Sequence, residues 1–361
     1  MLTFAGRVGV QQRILPGYRK PFFEALAQAC LGGLSVFAGE PRPDEAILPG
    51  GSLASAYVWP ARNLHLLSGK AYLCYQRGLI GWLESWQPEL MVMEANPRYL
   101  SSGSGARWMH RRRRGVIGWG LGAPSTGWRR ALLRRFLTRF DALIAYSQTG
   151  AEQYAELGFP DSRIFVAHNA AVPAPAHLPQ RPPPDAGPAS VLYVGRLVPQ
   201  KRVEILLQAC ATLTPSPRLL IVGDGPERAR LESMARQICP STEFRGAQTG
   251  EPLERSLLES DIFVMPGTGG LALQQAMSAA LPLISGRGDG TQADLVTPAN
   301  GWVLQREDAA ELAGLLAQAL ADRRRLRSMG EQSFRLARER FNIEAMAEAF
   351  VRAFRSVSEA T

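Results

Sequence analysis

VLYVGRLVPQKRVEILLQACATL, Val191 to Leu213, is the stretch that decides the fold. It opens as the continuous apolar run of a buried strand, stops at Gly195, and regains apolar residues at helical spacing in RVEILLQACATL. Strand, turn and helix in that order make one unit of a parallel sheet. The same alternation continues downstream, where RLLIVGDG, EFRG, DIFVMPG, LPLISG and GWVLQ intersperse with PERARLESMARQI, LALQQAMSAA and DAAELAGLLAQALADRRRL. It also precedes the stretch, with RVGVQQ, LSVFAG, ELMVMEA, GVIGWG, DALIAYS and RIFVAHN set between PFFEALAQAC and WRRALLRRFLTRF.

Between the two series lies VPAPAHLPQRPPPDAGPAS, residues 172–190, where proline is too dense for helix or central strand. The expected organisation is an N-terminal domain over 1–171, a linker over 172–190 and a second domain over 191–341. The fold class is α/β, with two Rossmann-like domains facing across a cleft. A chain of 361 residues with 46% hydrophobic content can fill two such cores.

The net charge of +9 points to an anionic partner without choosing among nucleic acid, lipid headgroups and phosphorylated metabolites. Cys30, Cys74, Cys210 and Cys239 are widely spaced, with no CxxC and no metal-ligand spacing, which fits buried thiols in a reducing cytoplasm. The N-terminus lacks the apolar run of a signal peptide, and no stretch reaches the ~20 apolar residues of a membrane span. A cytoplasmic location is expected.

In doubly wound sheets, ligands sit beyond the carboxyl ends of the strands. There Gly195 permits a sharp turn, Arg196 offers a planar fork of donors, and Lys201 is expected at the start of the next helix. The pair could cradle a diphosphate, and it also fits a solvated basic turn. In LLIVGDGPERARLE, Gly223 and Gly225 flank Asp224, with Pro226 expected at the first helical position and Glu227 in the first turn. These glycines suit close backbone approach better than phosphate contact.

Taken in order, GRLVPQK, GDGPERARLE, EFRG, SDIFVMPG, GLALQQAM and LPLISG resemble the donor-binding domain of GT-B glycosyltransferases, the retaining family GT4, over about Val191 to Phe341. RILPGYRKPFFEAL and DALIAYSQTGAEQYAELGFPDSRIFVAHNA resemble the N-terminal half of that family less specifically. The resemblance implies transfer of a sugar from a nucleotide-diphosphate sugar to an acceptor hydroxyl, with retained anomeric configuration and the leaving phosphate taking the acceptor proton. Polysaccharide or glycolipid assembly is the implied setting. Arg196 and Lys201 would hold the diphosphate and stabilise the charge that builds on it, in place of a metal. No DxD occurs, the four histidines form no ligand cluster, and no cofactor is expected. The resemblance adds Gly195, Gly223, Gly246, Thr268, Gly269, Gly270, Leu271 and Gln275 to the donor site. It also implies that the last helix, within 342–361, packs back on the first domain.

The chain departs from the family in one place. Two glutamates eight positions apart are usual, and PGTGGLALQQAMSAALPLI puts Gln275 at the ribose-binding one and nothing comparable near Gly267 to Gly270. A glutamine oxygen can still accept a ribose hydroxyl, more weakly than a carboxylate. Gly267 to Gly270 could offer backbone N–H groups and the Thr268 hydroxyl, or simply form a tight turn. Further on, Asp294 falls near the family's usual glutamate, and Gly301 suits a positive φ; both are expected to be structural. The missing glutamates leave a non-catalytic subunit that binds nucleotide or a partner enzyme as the alternative.

The acceptor side is expected on the first domain. Arg13, Tyr18, Arg19 and Lys20 fall between the first strand and helix, and Glu94, Asn96 and Arg98 follow LMVME. Glu94 is the carboxylate expected to orient an acceptor hydroxyl, with Arg13, Tyr18, Arg19, Asn96 and Arg98 binding a lipid-linked or saccharide acceptor. In WRRALLRRFLTRF, Leu132, Leu133, Phe136, Leu137 and Phe140 form an apolar stripe beside Arg129, Arg130, Arg134, Arg135 and Arg139. Residues 129–140, with Arg111 to Arg114, could lie on an anionic membrane, or the stripe could pack on a sheet. Peripheral contact with the inner membrane face follows from the first reading. Nucleic acid is not expected, since no recognition motif or aromatic stacking platform accompanies the arginines.

Overall fold

A computed structural model describes residues 2–42, 45, 50–67, 69, 72–122, 129–183, 187–288 and 290–359. The chain divides into two compact units, 1–173 with 343–361, and 174–342. The first unit carries, among the described residues, strands β1 (Val8–Ile14), β2 (Leu34–Gly39), β3 (Tyr57–Leu66), β4 (Leu73–Arg77), β5 (Leu90–Glu94), β6 (Gly115–Gly120), β7 (Ala142–Ala145) and β8 (Ile164–Val166). Their order is β4-β3-β2-β1-β5-β6-β7-β8, parallel throughout except for the β3–β4 hairpin. The second unit carries β9 (Ser190–Val194), β10 (Arg218–Val222), β11 (Thr242–Phe244), β12 (Ile262–Met265), β13 (Leu283–Ser285) and β14 (Gly301–Val303), in the all-parallel order β11-β10-β9-β12-β13-β14.

The central strands are buried on both faces, as parallel sheets covered by helices must be. Val8, Val10, Val92 and Ile117 line one face of the first sheet, and Met91, Met93, Val116 and Leu143 the other. The helix Ile343–Ser358 closes the first of these layers. Phe350 meets Phe22 at 5.0 Å and Trp119 at 4.9 Å between ring centroids, and Phe354 meets Phe4 at 5.6 Å. These tilted and edge-on contacts are the arrangements aromatic rings favour.

Several expectations change. Hairpin β3–β4 and the helices Leu79–Trp86 and Ser102–His110 had no counterpart in the sequence reading. Pro60 sits within β3, but residues 57–61 pair with β2 and residues 62–66 with β4, so a strand edge without a partner is available where the proline N–H is missing. Residues 174–183 and 187–190 are part of the second unit rather than a free linker; residues 184–186 of that segment lie outside the described residues. Arg181 pins the proline-rich stretch by donating to the carbonyls of Leu257, Ala279 and Ser260.

The basic helix spans Arg129–Leu137, and Phe140 falls beyond it. Phe136, Leu137 and Phe140 are buried in the core, which leaves Leu132 as the exposed member of the stripe. Three of the five apolar residues of that stripe are thus spent inside the unit. Residues 123–128, in the loop before it, lie outside the described residues. All four cysteines are free and buried. No helix among the described residues is long and apolar enough to cross a membrane.

Backbone packing at the carboxyl edge of the second sheet depends on glycine. Gly223 has φ +146°, and a Cβ there would overlap the Gly195 carbonyl oxygen. Gly223→Ala should therefore lower the stability of the second unit by about 3 kcal/mol or more, read as a shift in its urea midpoint. Gly81, in the exposed part of helix Leu79–Trp86 with nothing near its Cβ position, supplies the control: Gly81→Ala should stabilise by about 0.5–1 kcal/mol.

Candidate active site

In an open α/β sheet the ligand crevice lies at the carboxyl edge, where the strand order reverses. The second sheet reverses between β9 and β12, so residues 195–202 and 266–270 flank its crevice. Gly195 N donates to Val222 O at 2.9 Å, Leu197 N to Asp224 O at 2.8 Å, and Thr268 N to Gln200 O at 3.2 Å. The loops after β9, β10 and β12 are thus one hydrogen-bonded layer.

Lys201 lies in a turn of 3-10 helix, Pro199–Lys201, and not at a helix start. Arg202 follows in the left-handed conformation, and the α-helix begins at Val203. The Lys201 ammonium donates to Thr268 O and stands over Gly269, whose φ of +148° and missing side chain leave room for it. Gly270 caps the helix Leu271–Ser278. One ammonium, the exposed Thr268 and a helix N-terminus therefore converge. Arg196 is exposed, and its guanidinium has no partner among the described residues. A helix N-terminus with an ammonium beside it favours an anionic oxygen group.

Arg202 and Glu307 hold this layer from the far side and were not singled out in the sequence. Arg202 Nη1 lies 2.7 Å from Glu307 Oε2, its Nη2 donates to Glu307 O, and Glu307 Oε1 accepts from Arg287 N. With Arg202 engaged there, Lys201 is left as the cation of the KR pair that faces the crevice.

Other expected donor residues take different parts. Gly223 N donates to Gly246 O at 2.7 Å, so that N–H is not open to a phosphate, and both glycines hold loop against loop. Pro226 precedes the N-cap Glu227 rather than opening the helix Arg228–Ile238. Gly301 has no positive φ; a Cβ there would overlap Leu283 O, which is why the position is glycine. Leu271 is the first residue of its helix, and Gln275 lies one turn in, partly exposed. Asp294 lies in the short helix Thr291–Leu295.

The first sheet reverses between β1 and β5, which brings Arg13 and Glu94 together. Arg13 belongs to β1 itself and not to the following loop. Its N–H donates to Glu94 Oε2 at 3.0 Å, and its guanidinium lies 2.8 Å from Glu45. Burial pushes the Glu94 carboxyl up to about 7, against the Arg13 N–H and the charges of Arg19 and Arg13.

A cavity of about 220 Å³ opens beside this pair, lined by Arg13, Arg42, Glu45, Gly69, Tyr72, Asn96, Arg98 and Tyr99. Three arginines against one glutamate make it cationic. Arg42 lies 4.9 Å over the Tyr72 ring, and Asn96 Oδ1 accepts from Arg98 N. Arg42, Glu45, Tyr72 and Tyr99 carried no sequence signal, because they come from segments far apart in the chain.

Arg19 is not the exposed loop cation expected. It is buried, 4.4 Å over the Trp119 ring, and donates to Gln12 Oε1 and the Tyr146 hydroxyl. Tyr18 beside it is exposed. Among the described residues, no three His, Cys, Asp or Glu side chains gather in a way that could hold a metal ion.

Comparison with known proteins agrees with this architecture. Residues 23–170 match the family described as glycosyl transferase 4-like domain, and residues 177–335 the family described as glycosyl transferases group 1. The chain is 32% identical over 218 residues to a GDP-mannose-dependent alpha-mannosyltransferase of Mycolicibacterium smegmatis, covering 57% of this chain and 56% of that one. It is also 32% identical over 148 residues, 37% of this chain and 39% of the other, to a GDP-mannose-dependent monoacylated alpha-(1-6)-phosphatidylinositol monomannoside mannosyltransferase of Corynebacterium glutamicum. The chain thus spans about half or less of the length of these relatives. The HepE protein of Anabaena in complex with UDP shares the fold, with a TM-score of 0.74 at 17% identity over 97% of this chain and 100% of that one. With a glycosyl transferase family matched on each unit and a shared fold over nearly all of its length, the chain belongs to the GT4-type, group 1 glycosyltransferases of GT-B fold.

Proposed function

We propose that the chain moves a sugar from a nucleoside-diphosphate sugar to an acceptor hydroxyl, in polysaccharide or glycolipid assembly, with retained configuration and without a metal. The observation that carries this reading is the convergence of Arg196, Lys201 and the helix N-terminus at Gly270 on the reversal point of the second sheet. Breaking the anomeric C–O bond leaves added negative charge on the departing diphosphate. Fixed cations and backbone dipoles stabilise that charge more than they stabilise the intact donor. The leaving phosphate then takes the proton of the attacking hydroxyl on the same face of the sugar, which retains its configuration. GDP-mannose, named for the relatives, and the UDP bound by the structural neighbour are the support for guanine and uracil as the two candidate bases.

The acceptor reading rests on the cationic cavity. Arg13, Asn96 and Arg98 line it, while Arg19 acts at one remove by holding Gln12 and Tyr146. An acceptor with phosphate or carboxylate groups beside its hydroxyl fits such a lining. Glu94 orients the backbone of Arg13 and so the cavity wall.

The replacement of the paired glutamates by Gln275 and the segment Gly267 to Gly270 favours one second reading, a subunit that binds nucleotide without transferring sugar. Thermal melts with UDP, GDP, ADP, dTDP and CMP separate the two when followed by acceptor-dependent nucleotide release. One diphosphate should raise the melting temperature, and Arg196→Ala or Lys201→Ala should each weaken its binding by about tenfold or more. Unchanged affinity in both variants would remove the site assignment.

The Glu94 carboxyl gives a pH-dependent outcome. Its native value of about 7 lies above the ordinary 4.5, so between those values the native state holds a proton that the unfolded chain has lost. Stability from this group therefore falls as pH rises from about 4.5 to about 7. Glu94→Gln removes the titration, and its melting temperature should gain on the wild type between pH 5 and pH 8. A difference that does not vary with pH would contradict the assignment.

A further inference from the structure

The hairpin β3–β4 buries one face and leaves the other largely exposed. On the inner face Asn63 Nδ2 donates to Arg13 O at 2.8 Å, Gln76 Nε2 donates to Gln12 O at 3.0 Å, and Cys74 is fully buried. The alternate residues form three cross-strand pairs on the outer face: Arg62 with Arg77, Leu64 with Tyr75, and Leu66 with Leu73. Leu66 is 47% exposed and Tyr75 42%, and Leu67, where β3 ends, is 68% exposed.

An exposed edge strand usually invites another strand. Here that route is taken, because Cys74 N donates to Arg98 O and Leu100 N to Cys74 O, so residues 98–100 run along the edge of β4. The face is what remains open. Its two arginines sit directly opposite one another, and neither has a partner among the described residues. Like charges in that position destabilise a pair of strands. An anionic surface would turn the repulsion into attraction, whereas a second copy of the chain would bring the same two cations and no acid. A row of leucines with a tyrosine beside it and cations at one end matches the boundary between headgroups and acyl chains.

We propose that this face docks on an anionic lipid bilayer, with Leu64, Leu66 and Tyr75 entering the headgroup boundary and Arg62 and Arg77 meeting lipid phosphates. The docking surface stands on the hairpin alone and does not depend on the transferase reading.

Co-sedimentation of the full-length protein with vesicles tests it, using phosphatidylcholine alone and phosphatidylcholine mixed with phosphatidylglycerol. The protein should pellet with the mixed vesicles and not with the neutral ones. Arg62→Ala and Arg77→Ala should each weaken binding about fivefold, and Leu64→Ser with Leu66→Ser by about tenfold or more, with melting temperatures unchanged. Should the serine pair fail to fold, the arginine pair decides. The proposal is overturned by absence of binding to mixed vesicles, by equal binding to both compositions, or by hairpin variants that bind as the wild type does. It is also overturned if Arg111→Ala with Arg113→Ala abolishes binding while the hairpin variants retain it, or if sedimentation equilibrium finds a dimer that the serine pair dissolves.

Discussion

The carboxyl edge of the second sheet depends on backbones approaching more closely than a side chain would allow. Gly223 lies against the carbonyl of Gly195, Gly225 against that of Leu197, and Gly267 against that of Gln200. Each contact replaces side-chain packing with a main-chain layer, and the layer fixes where Lys201 can reach. A glycine there costs conformational entropy on folding. What it provides is a floor of backbone dipoles with the Lys201 ammonium held against it through Thr268 O. Preorganisation of this kind is what makes charge stabilisation effective, since groups already fixed need not reorient as charge develops.

The first unit meets a different constraint at the corresponding edge of its sheet. Its central strand carries Gln11 and Gln12 into the interior and Arg13 to the cavity wall, and buried polar groups must find partners. Gln11 bonds Gln76 at 2.8 Å, Gln76 bonds Asn63 at 3.1 Å, and Asn63 bonds Arg13 O. Arg19 closes the other side through Gln12 and Tyr146. The hairpin is thus held by hydrogen bonds to the strand that also positions Glu94 and the cationic cavity. A polar network of this type sets a single register for the hairpin, because slipping by one residue would leave several of its members buried without partners.

These two edges explain which features the sequence could display. Parallel strands buried on both faces are continuous apolar runs, so β9, β10, β12 and their helices were readable from composition and period. The strand orders were not, since nothing local in Val191–Val194 says that β12 will lie beside it. Arg196 and Lys201 could be picked out because they follow a strand in one continuous motif. Arg42, Glu45, Tyr72 and Tyr99 meet only through tertiary packing, and no spacing links them. Arg19 and Arg13 looked alike as loop cations; the structure separates them, one stacked under Trp119 and the other in a strand with its guanidinium on Glu45. The basic helix was open to two readings because an apolar stripe looks the same whether it meets a sheet or a bilayer, and its own core took Phe136, Leu137 and Phe140.

Hairpin β3–β4 was hidden from sequence by Pro60 and by the polar residues its inner face needs. That composition is itself informative once the register is known. Residues of one parity serve the buried network and those of the other parity are apolar or cationic, although Leu64, Leu66 and Tyr75 among them are exposed. An outward row serving solubility alone would be polar, as the outer positions of half-exposed strands usually are. Leu64, Leu66 and Tyr75 depart from that pattern while the edge beside them is carefully closed by residues 98–100. The inward parity answers to the fold, and the outward parity is the one that the proposed bilayer contact would use.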